Sequence, residues 1–242
     1  MGMRILIVSF YYLPELGAAP SRITNLAEGL RDRDQEVEVL TCMPNYPKGR
    51  IFENYRKKFS MCEKLNGIKV HRYWTYATTS RNVFLRLFSM FSFAVAVWFF
   101  ALKVRMIKKY DRIIIQSPPI LVAYSAMILF KCLYRRTTIL NVSDLWPASA
   151  VELGAVKEGS IFYKVLLYIE KFLYRKANAV MGQSSVILQH VLSLEASKTT
   201  FLYRNLQHGV EVPAKVISKC RKFRIVYAVL MGVAQDILGL IK

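Results

Sequence analysis

Ile5-Leu6-Ile7-Val8, then Tyr11-Tyr12-Leu13-Pro14-Glu15-Leu16-Gly17, then Ile23, Leu26, Ala27 and Leu30 are the residues that decide the fold. An unbroken apolar run rich in β-branched residues makes a buried strand, and apolar residues at i, i+3, i+4 and i+7 make the stripe of a helix laid on a sheet. Strand, glycine turn and helix form one βα unit, and the pattern recurs along the chain. Residues 37–40 read as a second strand and 68–73 as a third, with Asn66-Gly67 as the turn before it. A long helical stretch, 83–107, leads to Arg112-Ile113-Ile114-Ile115, a strand stopped by Pro118-Pro119; helix resumes at 120–133. Residues 138–142, 179–181 and 200–203 read as further strands, alternating with helices at 160–177 and 184–194. Such alternation predicts an α/β fold: a doubly wound, mainly parallel, Rossmann-like sheet with right-handed crossovers.

The tail departs from this rhythm. Residues 205–222, with Asn205, His208-Gly209, Pro213 and the cluster Lys219, Arg221 and Lys222, read as a linker. Residues 224–228 then look like a fresh first strand and 233–241 like the helix after it. A lone βα unit cannot bury both faces of its strand, so the expected organisation is one domain over 1–204, a linker over 205–222, and the opening unit of a second domain over 223–242.

Hydrophobic residues make up 54% of the 242 positions, which excludes intrinsic disorder. Thirty-five Lys and Arg against 16 Asp and Glu give a formal charge of +19, which points to a polyanionic partner. No zinc-finger spacing and no RNA-recognition pattern is present, so nucleic acid is not the expected partner. Cys42, Cys62, Cys132 and Cys220 form no CxxC pair, which argues against a zinc site or a disulfide framework. The opening Met1-Gly2-Met3-Arg4 before an apolar run is read as the approach to the first strand rather than as a signal peptide.

Sixteen uncharged residues, 87–102, lie between Arg86 and Lys103. As a helix they reach about 24 Å, short of a ~30 Å hydrocarbon core, so spanning is not expected. Two readings stay open: a buried helix covering the sheet, or a helix lying on a membrane. Residues 81–136 carry ten Lys or Arg and one acid, Asp111. That charge beside a Phe- and Trp-rich helix predicts peripheral, monotopic association with an anionic membrane surface.

Ligands of open parallel sheets bind beyond the carboxyl ends of the strands, which selects a short set of residues. After the first strand come Glu15, Gly17, Ala18 and Arg22, where small residues let backbone amides approach an anion. After the second come Asn45, Tyr46, Lys48 and Arg50, with two cations able to bind phosphate. Ser117 ends the strand before the two prolines. Asp144-Leu145-Trp146-Pro147 follows the fifth strand: Asp144 is placed to orient or deprotonate a sugar hydroxyl and Trp146 to shape a pocket, although Asp is also a common helix N-cap. His71 in a strand and His190 on a helix read as structural.

The segments 11–22, Pro44-Asn45-Tyr46-Pro47-Lys48-Gly49-Arg50 and Asp144-Leu145-Trp146-Pro147-Ala148-Ser149 resemble the amino-terminal half of family 4 glycosyltransferases, most of all the WbuB-type L-fucosamine transferases of O-antigen and colanic acid synthesis. Asn205-Leu206-Gln207-His208-Gly209-Val210 resembles an altered Pro-Asn-Gly-Val segment of that family. The resemblance implies a two-domain B-type fold, with acceptor mainly on the first domain and nucleotide-sugar mainly on the second, and retention of anomeric configuration. It further implies a UDP-linked sugar donor with no separate cofactor or metal, an acceptor sugar on undecaprenyl diphosphate, and a place on the cytoplasmic face of a bacterial cell membrane. Gly17 and Ala18 would lie near the donor diphosphate, Asp144 at the reacting centre, and Glu15, Arg22, Asn45, Tyr46, Lys48, Arg50, Ser117 and Trp146 toward the acceptor. The paired-glutamate motif of the donor domain is not in this sequence, and Val229 stands where the family usually has Gly. The 242 residues are accordingly expected to be inactive alone; the alternative is a non-enzymatic, membrane-anchoring subunit that binds acceptor and pairs with a separate donor-binding protein.

Overall fold

Strand β1 (Arg4–Val8) lies at the centre of the molecule because everything after Arg4 is apolar: Ile5, Leu6, Ile7 and Val8 are at most 4% exposed. Each such side chain contributes about 1.5–3 kcal/mol by leaving water. The structure is a computed structural model describing residues 2–80, 82–102, 107–152 and 154–204. The expected linker and second-domain unit, with Val229, lie outside the described residues.

Helix α1 (Ala18–Arg31) follows β1, then β2 (Glu36–Cys42), β3 (Ser60–Leu65), β4 (Ile68–Tyr73) and helix α2 (Val83–Ala101). Strand β5 (Arg112–Ser117) leads into helix α3 (Ile120–Ala126), which continues as a π-helical segment, Met127–Leu133. Next come β6 (Thr137–Val142), the short α4 (Ala148–Glu152), α5 (Ile161–Lys176), β7 (Ala179–Gly182), α6 (Ser185–Leu194) and β8 (Thr200–Leu202). The eight described strands form one sheet in the order β3-β4-β2-β1-β5-β6-β7-β8. Every pairing is parallel except β3 with β4. The expected doubly wound sheet is therefore the observed one, and its order reverses between β1 and β5.

Helices sandwich the sheet. Ile23, Leu26 and Ala27 of α1 close one face over Ile5, Ile7, Val39 and Val70. On the other face Phe93, Val97 and Phe100 of α2 join Leu6, Val8, Ile113 and Ile115, with α3 and α5 packed alongside. Side-chain caps define the helix starts: Asn82 accepts from the Phe84 amide, Ser160 from Tyr163 and Ser184 from Ile187.

Strand β3 has no counterpart in the sequence reading. It alternates exposed and half-buried positions and carries Glu63 and Lys64, as an edge strand should, so it shows no apolar run. Its signal was the Asn66-Gly67 pair, which is the two-residue turn of a hairpin: φ is 48° at Asn66 and 80° at Gly67.

Two buried ionic networks pin this hairpin. Arg72, wholly buried, donates to Glu63, to the Leu13 carbonyl and to the Cys42 carbonyl, and its guanidinium stacks over the Tyr55 ring. Toward the amino edge, Glu38 receives His71 Nε2 at 2.6 Å, the Tyr110 hydroxyl at 2.7 Å, and Lys109. Burial alone would raise the Glu38 carboxyl, but these partners outweigh it and hold its pKa at about 2. A carboxyl depressed by folding adds stability above its ordinary value near 4.5 and loses it as pH falls toward 2. Glu38→Gln should therefore flatten the loss of stability between pH 4.5 and 2, measured by urea unfolding; an unchanged acid slope would remove Glu38 from that role. Both histidines are bonded to carboxylates, His71 to Glu38 and His190 to Glu170 across α5 and α6.

Candidate functional site

The carboxyl ends of β1, β2, β4, β6 and β7 send their loops to one edge of the sheet, beside the point where strand order reverses. Gly17 opens α1 there with φ 140° and ψ 178°, a backbone that side-chain-bearing residues rarely adopt. A Cβ would meet Tyr46 only at 3.6 Å, so it is the conformation and not the space that calls for glycine. Gly17, Ala18, Ala19, Pro20 and Arg22 line a cavity of about 310 Å³ with Tyr11 and Tyr46. The two tyrosine rings meet edge to face at 6.1 Å. Burial, then the neighbouring Cys42 and Glu15, raises the Tyr11 hydroxyl to a pKa of about 12, so Tyr11 is a neutral donor at physiological pH.

Arg22 ties this cavity to the far half of the sheet. Its guanidinium donates to Gln183 Oε1 at 3.0 Å, just after β7. Burial lowers its pKa, and the Asp144 carboxylate after β6 opposes that shift. Asp144 itself is exposed and accepts from Ser149 Oγ at 2.5 Å. Gln183 Nε2 is buried with no partner among the described residues, an unspent donor next to Arg22. Trp146, half-buried and two residues after Asp144, packs against the main core. Gly17, Ala18, Arg22, Tyr46, Asp144 and Trp146 are thus distributed along one edge.

Other expected site residues are placed differently. Glu15 is 2% exposed, and its Oε1 accepts from the amides of Asn45 (2.7 Å) and Tyr46 (2.8 Å). Burial raises its pKa; the backbone amides oppose the shift. Its carboxylate is spent on joining the loops after β1 and β2. Asn45 is 5% exposed and donates from Nδ2 to the Met43 carbonyl, so it too faces inward. Lys48 and Arg50 line a separate open hollow with Pro14 and Tyr55. Ser117 is buried, and its carbonyl receives the Ser143 amide and Gln116 Nε2.

Tyr11, Gln183 and Arg72 were not singled out from sequence. Tyr11 lay within the motif around Gly17, whereas Gln183 and Arg72 act through partners 161 and 59 positions away and leave no local pattern. A larger cavity, about 620 Å³, lies at the amino ends of β2 and β4 among Arg31, Glu36 and Lys69. It is remote from the convergent loops, the Gly17 turn and the helix start, where the chemistry of an open α/β sheet is placed.

Residues 17–203 match the model of the glycosyl transferase 4-like domain. Among curated proteins, the chain is 30% identical over 157 residues to WcaI of Escherichia coli (strain K12), named as a colanic acid biosynthesis glycosyl transferase; the match spans 65% of this chain and 38% of that protein's length. Among solved structures, sucrose-phosphate synthase from Thermosynechococcus elongatus superposes with a TM-score of 0.50 at 12% identity, over 84% of this chain and 88% of that one. A trehalose-6-phosphate protein from E. coli bound with UDP-2-fluoro glucose gives a TM-score of 0.44 at 12% identity, over 84% of this chain and 48% of that one. Because that family model spans residues 17–203, most of the chain, the chain belongs to the glycosyl transferase 4-like domain family.

Proposed function

We propose that the whole protein is a retaining glycosyltransferase that moves a sugar, N-acetyl-L-fucosamine, from a UDP-linked donor to a sugar carried on undecaprenyl diphosphate, in bacterial surface polysaccharide synthesis at the cytoplasmic face of the membrane. The observation that carries this reading is the row Gly17, Arg22, Asp144 along the carboxyl edge of a glycosyl transferase 4-like domain. Such a row offers what transfer between a nucleotide-sugar and an alcohol requires. The backbone at Gly17 and the start of α1 can meet a diphosphate closely, Arg22 brings a cation, and Asp144 brings an exposed carboxylate for the attacking hydroxyl. The Tyr11–Tyr46 pair, set edge to face, offers an aromatic corner for a sugar ring beside hydroxyl donors.

In this reading Glu15, Asn45 and Arg72 are positioning residues that hold the loops. The described domain supplies the acceptor side, so residues 1–242 alone should show no turnover. The test is an assay of the full-length protein with a panel of UDP-sugars and an undecaprenyl-diphosphate-linked acceptor. Labelled sugar should enter the lipid fraction with UDP-N-acetyl-L-fucosamine and keep its anomeric configuration. Transfer from a different donor would replace the sugar assignment, and no lipid-linked product from any donor would overturn the reading.

A further inference from the structure

Helices α2, α3 and α5 lie side by side on one side of the sheet, and their outward surface carries lines of large exposed apolar side chains. On α2 and its final cap, Phe84, Phe88, Phe91, Val95, Trp98 and Leu102 recur at i, i+4, i+7, i+11, i+14 and i+18, a single line along the helix. Each is at least 40% exposed, while Phe93, Val97 and Phe100 on the opposite side are fully buried against the sheet. A second exposed line runs along α5: Ile161, Val165 and Tyr168. Helix α3 joins the two, its Ser125 Oγ accepting from Trp98 Nε1 at 2.8 Å and its Tyr124 ring meeting Phe172 at 5.1 Å.

The exposed charge carried by these helices has one sign. Arg86, Lys131, Lys164, Lys171, Arg175 and Lys176 belong to the three helices and the π-helical segment. The acid among their described residues is Glu170, which is 3% exposed and bonded inward to Tyr174 and His190. Helix α2 is long and apolar enough to cross a bilayer by length and composition. Crossing would tear Phe93, Val97 and Phe100 out of the core, whereas lying flat leaves the fold intact. The start of α2 also reaches the candidate site: Arg86 lines a small recess with Tyr11, Tyr46, Thr78 and Thr79.

We propose that this three-helix surface docks on an anionic phospholipid bilayer. The aromatic lines enter the interfacial layer and the cations meet the headgroups, with the mouth of the site at Tyr11 and Arg86 held beside the membrane. The inference rests on the reading that the acceptor is carried on lipid and gives that acceptor its route, along α2 to the recess. The test is flotation of the 242-residue chain with vesicles of phosphatidylglycerol and phosphatidylcholine, against phosphatidylcholine alone. Binding should require phosphatidylglycerol and fall with salt. Phe84→Ser/Phe91→Ser and Lys164→Gln/Lys171→Gln/Arg175→Gln should each weaken it about tenfold or more, with far-ultraviolet dichroism unchanged.

Equal flotation of both variants and the parent chain would overturn the proposal. So would failure of the parent to bind anionic vesicles, or self-association through this surface that Phe84→Ser/Phe91→Ser abolishes while flotation persists. Transfer by the full-length protein to a short-chain, water-soluble acceptor separates the two claims. Retained transfer with lost flotation in the variants supports docking as the role of this surface. Flotation without transfer from any donor would leave docking standing and overturn the transferase reading.

Discussion

Under the function proposed above, Asp144→Asn is expected to lower kcat of the whole protein by about 10²–10⁴-fold, the range over which a positioned acid or base contributes, with KM for donor and acceptor little changed. The expectation follows from where the carboxylate sits. Asp144 is exposed at the carboxyl end of β6, its charge is felt by Arg22, and one oxygen is held by Ser149 at 2.5 Å. Amide for carboxylate keeps the shape and the Ser149 contact while removing the ability to take a proton. Ser149→Ala should cost far less, since it only loosens the carboxylate's orientation. Steady-state kinetics on the two variants decides the matter: a kcat unchanged in Asp144→Asn would remove Asp144 from the chemistry, and a raised KM at constant kcat would make it a binding residue.

The largest effect on stability should come from Arg72→Met. This cation is wholly buried and satisfies Glu63 and the carbonyls of Leu13 and Cys42 at once. Removing one member of a buried pair leaves the other charge uncompensated, at a cost of about 3–5 kcal/mol. For a domain of this size that is a fall in Tm of roughly 6–20 °C. Arg72→Met/Glu63→Leu should recover part of the loss, because the stranded carboxylate goes too. Thermal unfolding of the single and double variants is the measurement. A single variant within about 1 kcal/mol of the parent would mean that Arg72 does not hold the loops after β1 and β2 together.

These two residues also show what a sequence discloses and what it hides. Strands β1 and β5 were legible because each is a dense apolar run, and the amphipathic helices because their stripes repeat every three to four residues; 68–73 and 120–133 coincide with observed elements. Asp144 and Gly17 were legible because they follow strands, and in such a sheet that position alone brings loops to one edge. Strand β3 was hidden by its polar, half-exposed pattern. Helix α2 looked like one of two things and has features of both, one face sealed against the sheet and the other open. The inward turn of Glu15 and Asn45, the separation of Lys48 and Arg50 from the cavity, and the reach of Arg72 depend on packing between distant segments. Residue type at a strand end says that a side chain is available for chemistry, not which way it points.

The central claim, that the acceptor lies beside Arg22, Tyr46, Trp146 and Asp144, next to the Gly17 turn proposed for the donor diphosphate, is tested most directly by photolabelling the full-length protein with a diazirine-bearing, undecaprenyl-diphosphate-linked acceptor and mapping the adducts by mass spectrometry. Adducts should fall on the loops after β1, β2 and β6, around Tyr11, Tyr46 and Trp146, and be suppressed by unlabelled acceptor. Competed adducts on the cavity at the amino ends of β2 and β4, around Glu36 and Lys69, would contradict it.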